Sequence, residues 1–308
     1  MIQRLCLAFM LVSFVFQAHA SLIAVSLPRY NDNFINLLRT NIESTIDKSG
    51  HDVYIDQAED SKEKQFAQIK RFAEAKVDAL IVILVNPSKD FAQPIVDLAT
   101  KSNIPLVFVN VKPDISPLPN GVVYVGSNEL ESGTLEMEEL ARLANYKGNV
   151  VLLMGEESHP AAKIRTLDVD TVIKKYPDMK VIVRERGNWE RNEGLKITTK
   201  WLKEYAGQFN IIVANNDEMA IGAITAIEEA GLNPRDYLIG GVDATADALK
   251  YMGDGKLDVT VFQDVAGQAQ GAANAAIDMV NGKSVSKEIW VPFRLVNKNN
   301  LHQFTNDH

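Results

Sequence analysis

The stretch Asn210-Ile211-Ile212-Val213-Ala214-Asn215-Asn216-Asp217-Glu218-Met219-Ala220-Ile221-Gly222-Ala223 decides the fold. Its β-branched run, Asn210–Ala214, suits a buried strand, the polar Asn215-Asn216-Asp217 ends it, and Glu218–Ala230 continues with helical periodicity. Another short apolar run, Tyr237–Val242, follows the helix. Strand, helix and strand in this order form the crossover unit of a parallel sheet.

The same alternation extends in both directions. Upstream it predicts strand Leu22–Leu27, helix Phe34–Lys48, strand Asp52–Asp56, helix Lys62–Lys76, strand Ala79–Val85, helix Phe91–Ala99, strand Pro105–Asn110 and strand Gly121–Val125. A second set runs from helix Ser132–Ala144 through strand Asn149–Met154, helix Ala161–Tyr176, strand Lys180–Glu185 and helix Glu193–Tyr205 to the quoted unit. Two similar α/β units therefore lie in tandem. The tail, with helix Ala246–Met252, strand Asp258–Phe262, a small-residue helix from Ala266 to Met279 and the segment Glu288–Leu295, exceeds what the second unit needs. Such a surplus supplies a helix to the first unit and a last strand to the second, with the chain crossing between them more than once.

At the N-terminus, Arg4 precedes an apolar run from Leu5 to Phe16, closed by Ala18-His19-Ala20 before Ser21. This is the pattern of a cleaved secretory signal, too short to span a bilayer. The expected mature chain begins at Ser21 and is exported. Cys6, the only cysteine, lies within the removed segment, so no disulfide or thiol chemistry is expected. The formal net charge is −8 and no basic run offers a phosphate-binding surface, which argues against nucleic-acid binding.

In an open parallel sheet, ligands gather at the carboxyl ends of the strands. Here those ends carry Tyr30-Asn31-Asp32-Asn33-Phe34, Asn110, Glu156 to His159, Trp189 to Arg191, Asn215-Asn216-Asp217, Asp243 and Gln263. Carboxylates accept from hydroxyls, Arg and amide N–H groups donate to them, and aromatic planes pack on the C–H faces of a ring. The mixture suits a polyol. Each residue also has a structural reading: Asn33, Asp217 and Asp243 as helix caps, Arg165 as a solvated helix residue, His159 before Pro160 as structural, and Trp189 as rim or core. Glu138-Glu139 reads as part of a solvated helix, and His302 and His308 as polar-tail residues. No phosphate-binding loop, dinucleotide fingerprint, nucleophile elbow or metal-ligand cluster is present, so no cofactor and no catalytic residue is expected.

Four segments in order, Asp32-Asn33-Phe34, Ala214 to Ala223, Gly240-Gly241-Val242-Asp243-Ala244 and Thr260-Val261-Phe262-Gln263-Asp264, resemble the periplasmic sugar-binding proteins of the ribose and galactose type that feed ABC importers. The resemblance implies two Rossmann-like lobes joined by three crossovers, with lobes 21–125 plus 264–289 and 126–263 plus 290–308. It implies ligand contacts from Asp32, Phe34 and Asn110 in the first lobe and from His159, Arg165, Trp189, Asn216 and Asp243 in the second, with Gln263 at the crossover. It also implies a monomer that meets an importer permease and, in some relatives, a chemoreceptor. Ala161 stands where the galactose binders carry an acid, Val111 where relatives often have Arg or Lys, and no calcium loop precedes Gly148. Ser127 to Glu136, Asn188-Trp189-Glu190-Arg191 and Leu257 to Asp264 are similar to the branch that binds inositols and rhizopines (aminated inositols). Pentoses and hexoses such as ribose or galactose remain the alternative ligands. A lactose-repressor-like effector domain shares the fold but lacks an export signal and carries a helix-turn-helix. A secreted sugar-modifying enzyme would show turnover.

Overall fold

In a computed structural model, which describes residues 20–30 and 32–305, the chain builds two six-stranded sheets. The expected signal segment up to His19, Asn31 and the tail position His308 lie outside the described residues. Among the described residues no helix is long and apolar enough to cross a membrane.

The first sheet holds β1 (Leu22–Leu27), β2 (Asp52–Gln57), β3 (Ala79–Val82), β4 (Leu106–Val109), β5 (Val122–Gly126) and β11 (Glu288–Trp290), in the order β11-β5-β4-β3-β1-β2. The second holds β6 (Gly148–Met154), β7 (Met179–Arg186), β8 (Ile211–Ala214), β9 (Leu238–Gly240), β10 (Val259–Phe262) and β12 (Arg294–Asn297), in the order β12-β10-β9-β8-β6-β7. Every pairing is parallel except β10 with β12. β3, β4 and β8 are buried along their whole length, because a parallel sheet carries helices on both faces.

Those helices are α1 (Asn33–Lys48), α2 (Lys62–Glu74), α3 (Lys89–Lys101), α4 (Glu129–Leu143), α5 (Pro160–Ile173), α6 (Arg191–Glu204), α7 (Asp217–Glu229), α8 (Ala246–Gly253) and α9 (Val265–Val280). α9 belongs to the first lobe. Its buried stripe Ala269, Ala272, Ala273 and Ala276 packs on α1 and on β3, β4 and β5. The tail thus returns a helix and also a strand, β11, to the first sheet before β12 closes the second. The segment Glu288–Leu295 is divided at Val291-Pro292-Phe293 because its two halves pair in different sheets.

Other differences are local. β3 and β9 stop short of the expected Val85 and Val242, as the chain leaves the sheet to form the edge loops. α4 begins at Glu129 rather than Ser132, capped by Asn128. Glu139 is not solvated: it is buried, with Arg142 at 2.7 Å and Asn297 donating at 2.8 Å.

α6 and α7 approach so closely that only glycine fits between them. A methyl group on Gly222 would lie 2.1 Å from the Arg191 carbonyl oxygen, which is backbone and has little room to retreat. Gly222→Ala is therefore expected to destabilise the protein by about 1–3 kcal/mol through overpacking, and chemical denaturation checks this. An unchanged midpoint would mean that the two helices slide apart freely.

Candidate functional site

The carboxyl ends of the two sheets face each other across a cleft of about 500 Å³. Asp32, Phe34, Asn110, His159, Arg165, Trp189, Asn216, Asp243 and Gln263 all line it. Their proximity follows from topology, since each sits at or just after the carboxyl end of a strand or in the first turns of the next helix.

In the first lobe, Asp32, not Asn33, caps α1: its Oδ1 accepts from the Ile35 amide at 3.0 Å. Two residues later Phe34 lines the cleft. Asn110 follows β4 with φ +65°, a left-handed conformation that asparagine tolerates better than most residues. Its amide donates to Gln268 at 3.2 Å, Gln268 donates to Ser127 at 3.0 Å, and the Tyr124 hydroxyl donates to the Asn110 carbonyl at 3.1 Å. These bonds fasten Asn110 to α9 and to the first crossing.

In the second lobe, Arg165 is 3% exposed instead of solvated. It donates from Nε to Glu129 at 3.1 Å, from Nη1 to the Asn215 carbonyl at 2.7 Å and from Nη2 to Gln263 at 3.3 Å. Its guanidinium lies 5.8 Å from the Trp189 ring centre and 5.9 Å from that of Phe293. Trp189 and Asn188 both have left-handed backbones, with φ +71° and +50°. That turn lays the indole over Gly155, where an added methyl group would meet the ring at 2.3 Å. His159 packs edge-on to Trp189 at 5.3 Å, and its Nδ1 accepts from the Ala161 amide at 3.2 Å as the cap of α5. Asn216 caps α7 through the Met219 amide at 3.1 Å and donates to the Trp189 carbonyl at 3.1 Å.

Asp217 does not cap α7. Its carboxylate accepts instead from Thr260 at 2.7 Å and from the Thr245 amide at 2.9 Å, tying β10 to the start of α8. Thr245 caps α8, which leaves Asp243 without that duty. Asp243 has φ +126°, well outside the ordinary range for a side-chain-bearing residue. Among the described residues its carboxylate receives no hydrogen bond, although the residue is only 8% exposed. Burial pushes it well above the usual carboxylate range; Arg165 opposes this, while Asp217, Asp32 and Glu129 add to it. Burial likewise raises Asp217 to about 7 against its two threonine partners. His159 is pushed down to about 3, by burial first and then by Arg165 and Arg29.

Glu129, Arg29, Asp60, Arg191 and Glu218 also line the cleft. Glu129 escapes sequence reasoning because its partner Arg165 is 36 residues away. Arg191 forms a double bond pair with Glu218 at 2.7 and 3.0 Å and reaches Asp247 at 2.7 Å. Arg191 sits at a strand end that the sequence marks, but its partners Glu218 and Asp247 lie 27 and 56 residues away.

Residues 23–284 match the periplasmic binding protein domain. The chain belongs to that family. It is 42% identical over 294 residues to the "Putative rhizopine-binding protein" of Rhizobium meliloti, covering 93% of each chain. Among solved structures it resembles an ABC transporter solute-binding protein of Bacillus halodurans with bound myo-inositol, at TM-score 0.87 and 32% identity over 94% of this chain and 98% of that one. A periplasmic solute-binding protein of Actinobacillus succinogenes with bound D-allose is similar at TM-score 0.85 and 29% identity, over 92% and 99% of the two chains.

The depressed His159 has a consequence for stability. The unfolded chain takes up this proton near pH 6.5 and the folded protein only near 3, so the residue withdraws stability as pH falls between those values. At pH 5 the loss relative to pH 8 is about 1–2 kcal/mol. Denaturation of His159→Gln at both pH values is expected to show a loss on acidification smaller than wild type by that amount. Equal losses would mean that the imidazole titrates normally in the fold.

Proposed function

We propose that this protein is a non-enzymatic receptor that takes a cyclic polyol, an inositol or an amino-inositol, into the cleft between its lobes and delivers it to an ABC importer. The observation that carries the reading is the placement of Asp32 and Asp243 on opposite lobes, each with a carboxylate oxygen free of capping work, around a cleft that also offers Arg165, Asn110, Asn216 and the rings of Phe34 and Trp189. Carboxylates accept from ring hydroxyls or an ammonium group, and such donors favour the ionised form that burial opposes at Asp243; Arg and amide groups donate to hydroxyl oxygens, and the two aromatic faces cover the C–H surfaces. In this reading His159, a neutral ring, and Gln263 complete the set of contacts. The similarity to rhizopine- and inositol-binding relatives supports the ligand class. The D-allose-bound relative supplies the competing class.

The same proposal includes a signal at residues 1–20 removed before Ser21, export to the periplasm, a monomeric receptor, and lobes 21–125 plus 264–289 and 126–263 plus 290–308 that move as bodies about three crossings. No turnover of the ligand is expected.

Calorimetric titration with myo-inositol, scyllo-inosamine, galactose, ribose and allose tests the ligand class. A cyclitol is expected to bind more tightly than any of the sugars, and chromatography is expected to recover it unchanged. A sugar that binds tenfold tighter than both cyclitols would reassign the ligand.

The site itself is tested by Asp243→Ala and Trp189→Ala. A charged hydrogen bond contributes ~1.5–3 kcal/mol, so Asp243→Ala is expected to weaken binding by about tenfold to over a hundredfold. Its fold should survive, because Thr245 already caps α8. Trp189→Ala is expected to weaken binding and to remove most of the ligand-induced change in tryptophan fluorescence. Wild-type affinity in both variants would show that these side chains only shape the cleft wall.

A further inference from the structure

Among the described residues, two polar contacts join the lobes directly across the cleft, away from the crossings. Arg29 Nη2 lies 3.6 Å from Glu156 Oε2, and the Asn33 amide donates to Glu218 at 3.4 Å. Arg29 and Asn33 stand between β1 and the first turn of α1, on either side of Asp32. Their partners adjoin the second lobe's candidate contacts: Glu156 precedes His159 in the loop that enters α5, and Glu218 follows Asn216 in the first turn of α7. All four are held from behind. Asp60 accepts from Arg29 at 3.3 Å within the first lobe, Asn33 belongs to α1, and Arg191 fixes Glu218 through two bonds while itself anchored on Asp247. Glu156 is bonded by Ser158.

We infer that the Arg29–Glu156 ion pair, with the Asn33–Glu218 bond beside it, is a protein-to-protein fastening across the cleft mouth that sets the balance of open and closed lobes and hence how long a ligand stays. The inference rests on the receptor reading only for its kinetic consequence. The fastening does not need the ligand to form, because its members meet each other. An exposed ion pair is worth little to the stability of a fold. It matters more here, since a hinge equilibrium near balance responds to the same small free energy with a several-fold change in population. Glu156 has a 42% exposed side chain and Arg29 a 19% exposed one, so salt screens the pair and the fastening weakens as ionic strength rises.

The test uses Arg29→Gln, Glu156→Gln and the double variant of the exported protein. Small-angle scattering without added ligand is expected to give a larger radius of gyration for each variant than for wild type at low salt. In about 0.5 M salt the wild type is expected to move toward the variants. Stopped-flow dissociation of myo-inositol is expected to speed up by about two- to fivefold in either single variant, with the double variant no faster than the singles. Unchanged scattering and dissociation would overturn the inference. So would a loss of binding in Glu156→Gln that reorders myo-inositol and galactose without altering the ligand-free radius, since Glu156 would then be a ligand contact. If no cyclitol or sugar binds, the receptor reading fails while the scattering comparison still decides the fastening.

Discussion

The guanidinium of Arg165 organises the second half of the molecule. A buried positive charge persists only where it is paired and hydrogen-bonded, and Arg165 is met by Glu129 from α4, by the Asn215 carbonyl at the end of β8 and by Gln263 after β10, which leaves N–H groups for a ligand. Those three bonds join one helix and two strand ends at the sheet edge, so the cleft wall keeps its shape without a ligand to template it. Trp189 and Phe293 flank the guanidinium, excluding water from one side. The same charge holds down part of the rise in Asp243 that burial imposes.

Around that centre, each remaining cleft residue is positioned by backbone work it does for the fold. Asp32 and His159 each cap a helix with one polar atom and leave another for the cleft, while Asn216 caps with its Oδ1 and spends one amide N–H on the Trp189 carbonyl, keeping the second. A capping side chain has its rotamer fixed by the helix it caps, so the free atom is held in place as well. Asn110, Trp189 and Asp243 reach the cleft through positive φ angles, strain that the surrounding sheets hold in place. Capping and binding are thus compatible roles, and treating them as rivals is where reading residue by residue goes astray.

Much of the architecture was legible because buried parallel strands are continuous apolar runs, and the resemblance to sugar receptors covered the strand ends in order. The pairing of partners was less so. Whether Asn216 or Asp217 caps α7 cannot be read from two adjacent residues that both cap well; the choice is made by Thr260, 43 residues away, which claims Asp217. The burial of Arg165 depends on partners 36, 50 and 98 residues distant. Glu139, read as solvated, is buried because Asn297 returns to it from 158 residues later on β12.

The arrangement carries its own account of why a ligand would favour the closed form. Asp32 and Asp243 face the cleft from opposite lobes, and Asp32 is among the charges that oppose ionisation of Asp243. Bringing the lobes together therefore sets repulsion and loss of water against the ionised form of Asp243, an opposition that grows as closure proceeds. Hydroxyl or ammonium hydrogens placed between the two carboxylates turn that repulsion into two sets of charge-assisted bonds, and they do so only when both lobes are within reach. The free-energy difference between open and closed lobes thus depends on the donors that the ligand presents at those two points. A ligand lacking a donor at either end leaves one carboxylate buried and unpaired, and the same geometry that drives closure on the right ring resists it on the wrong one.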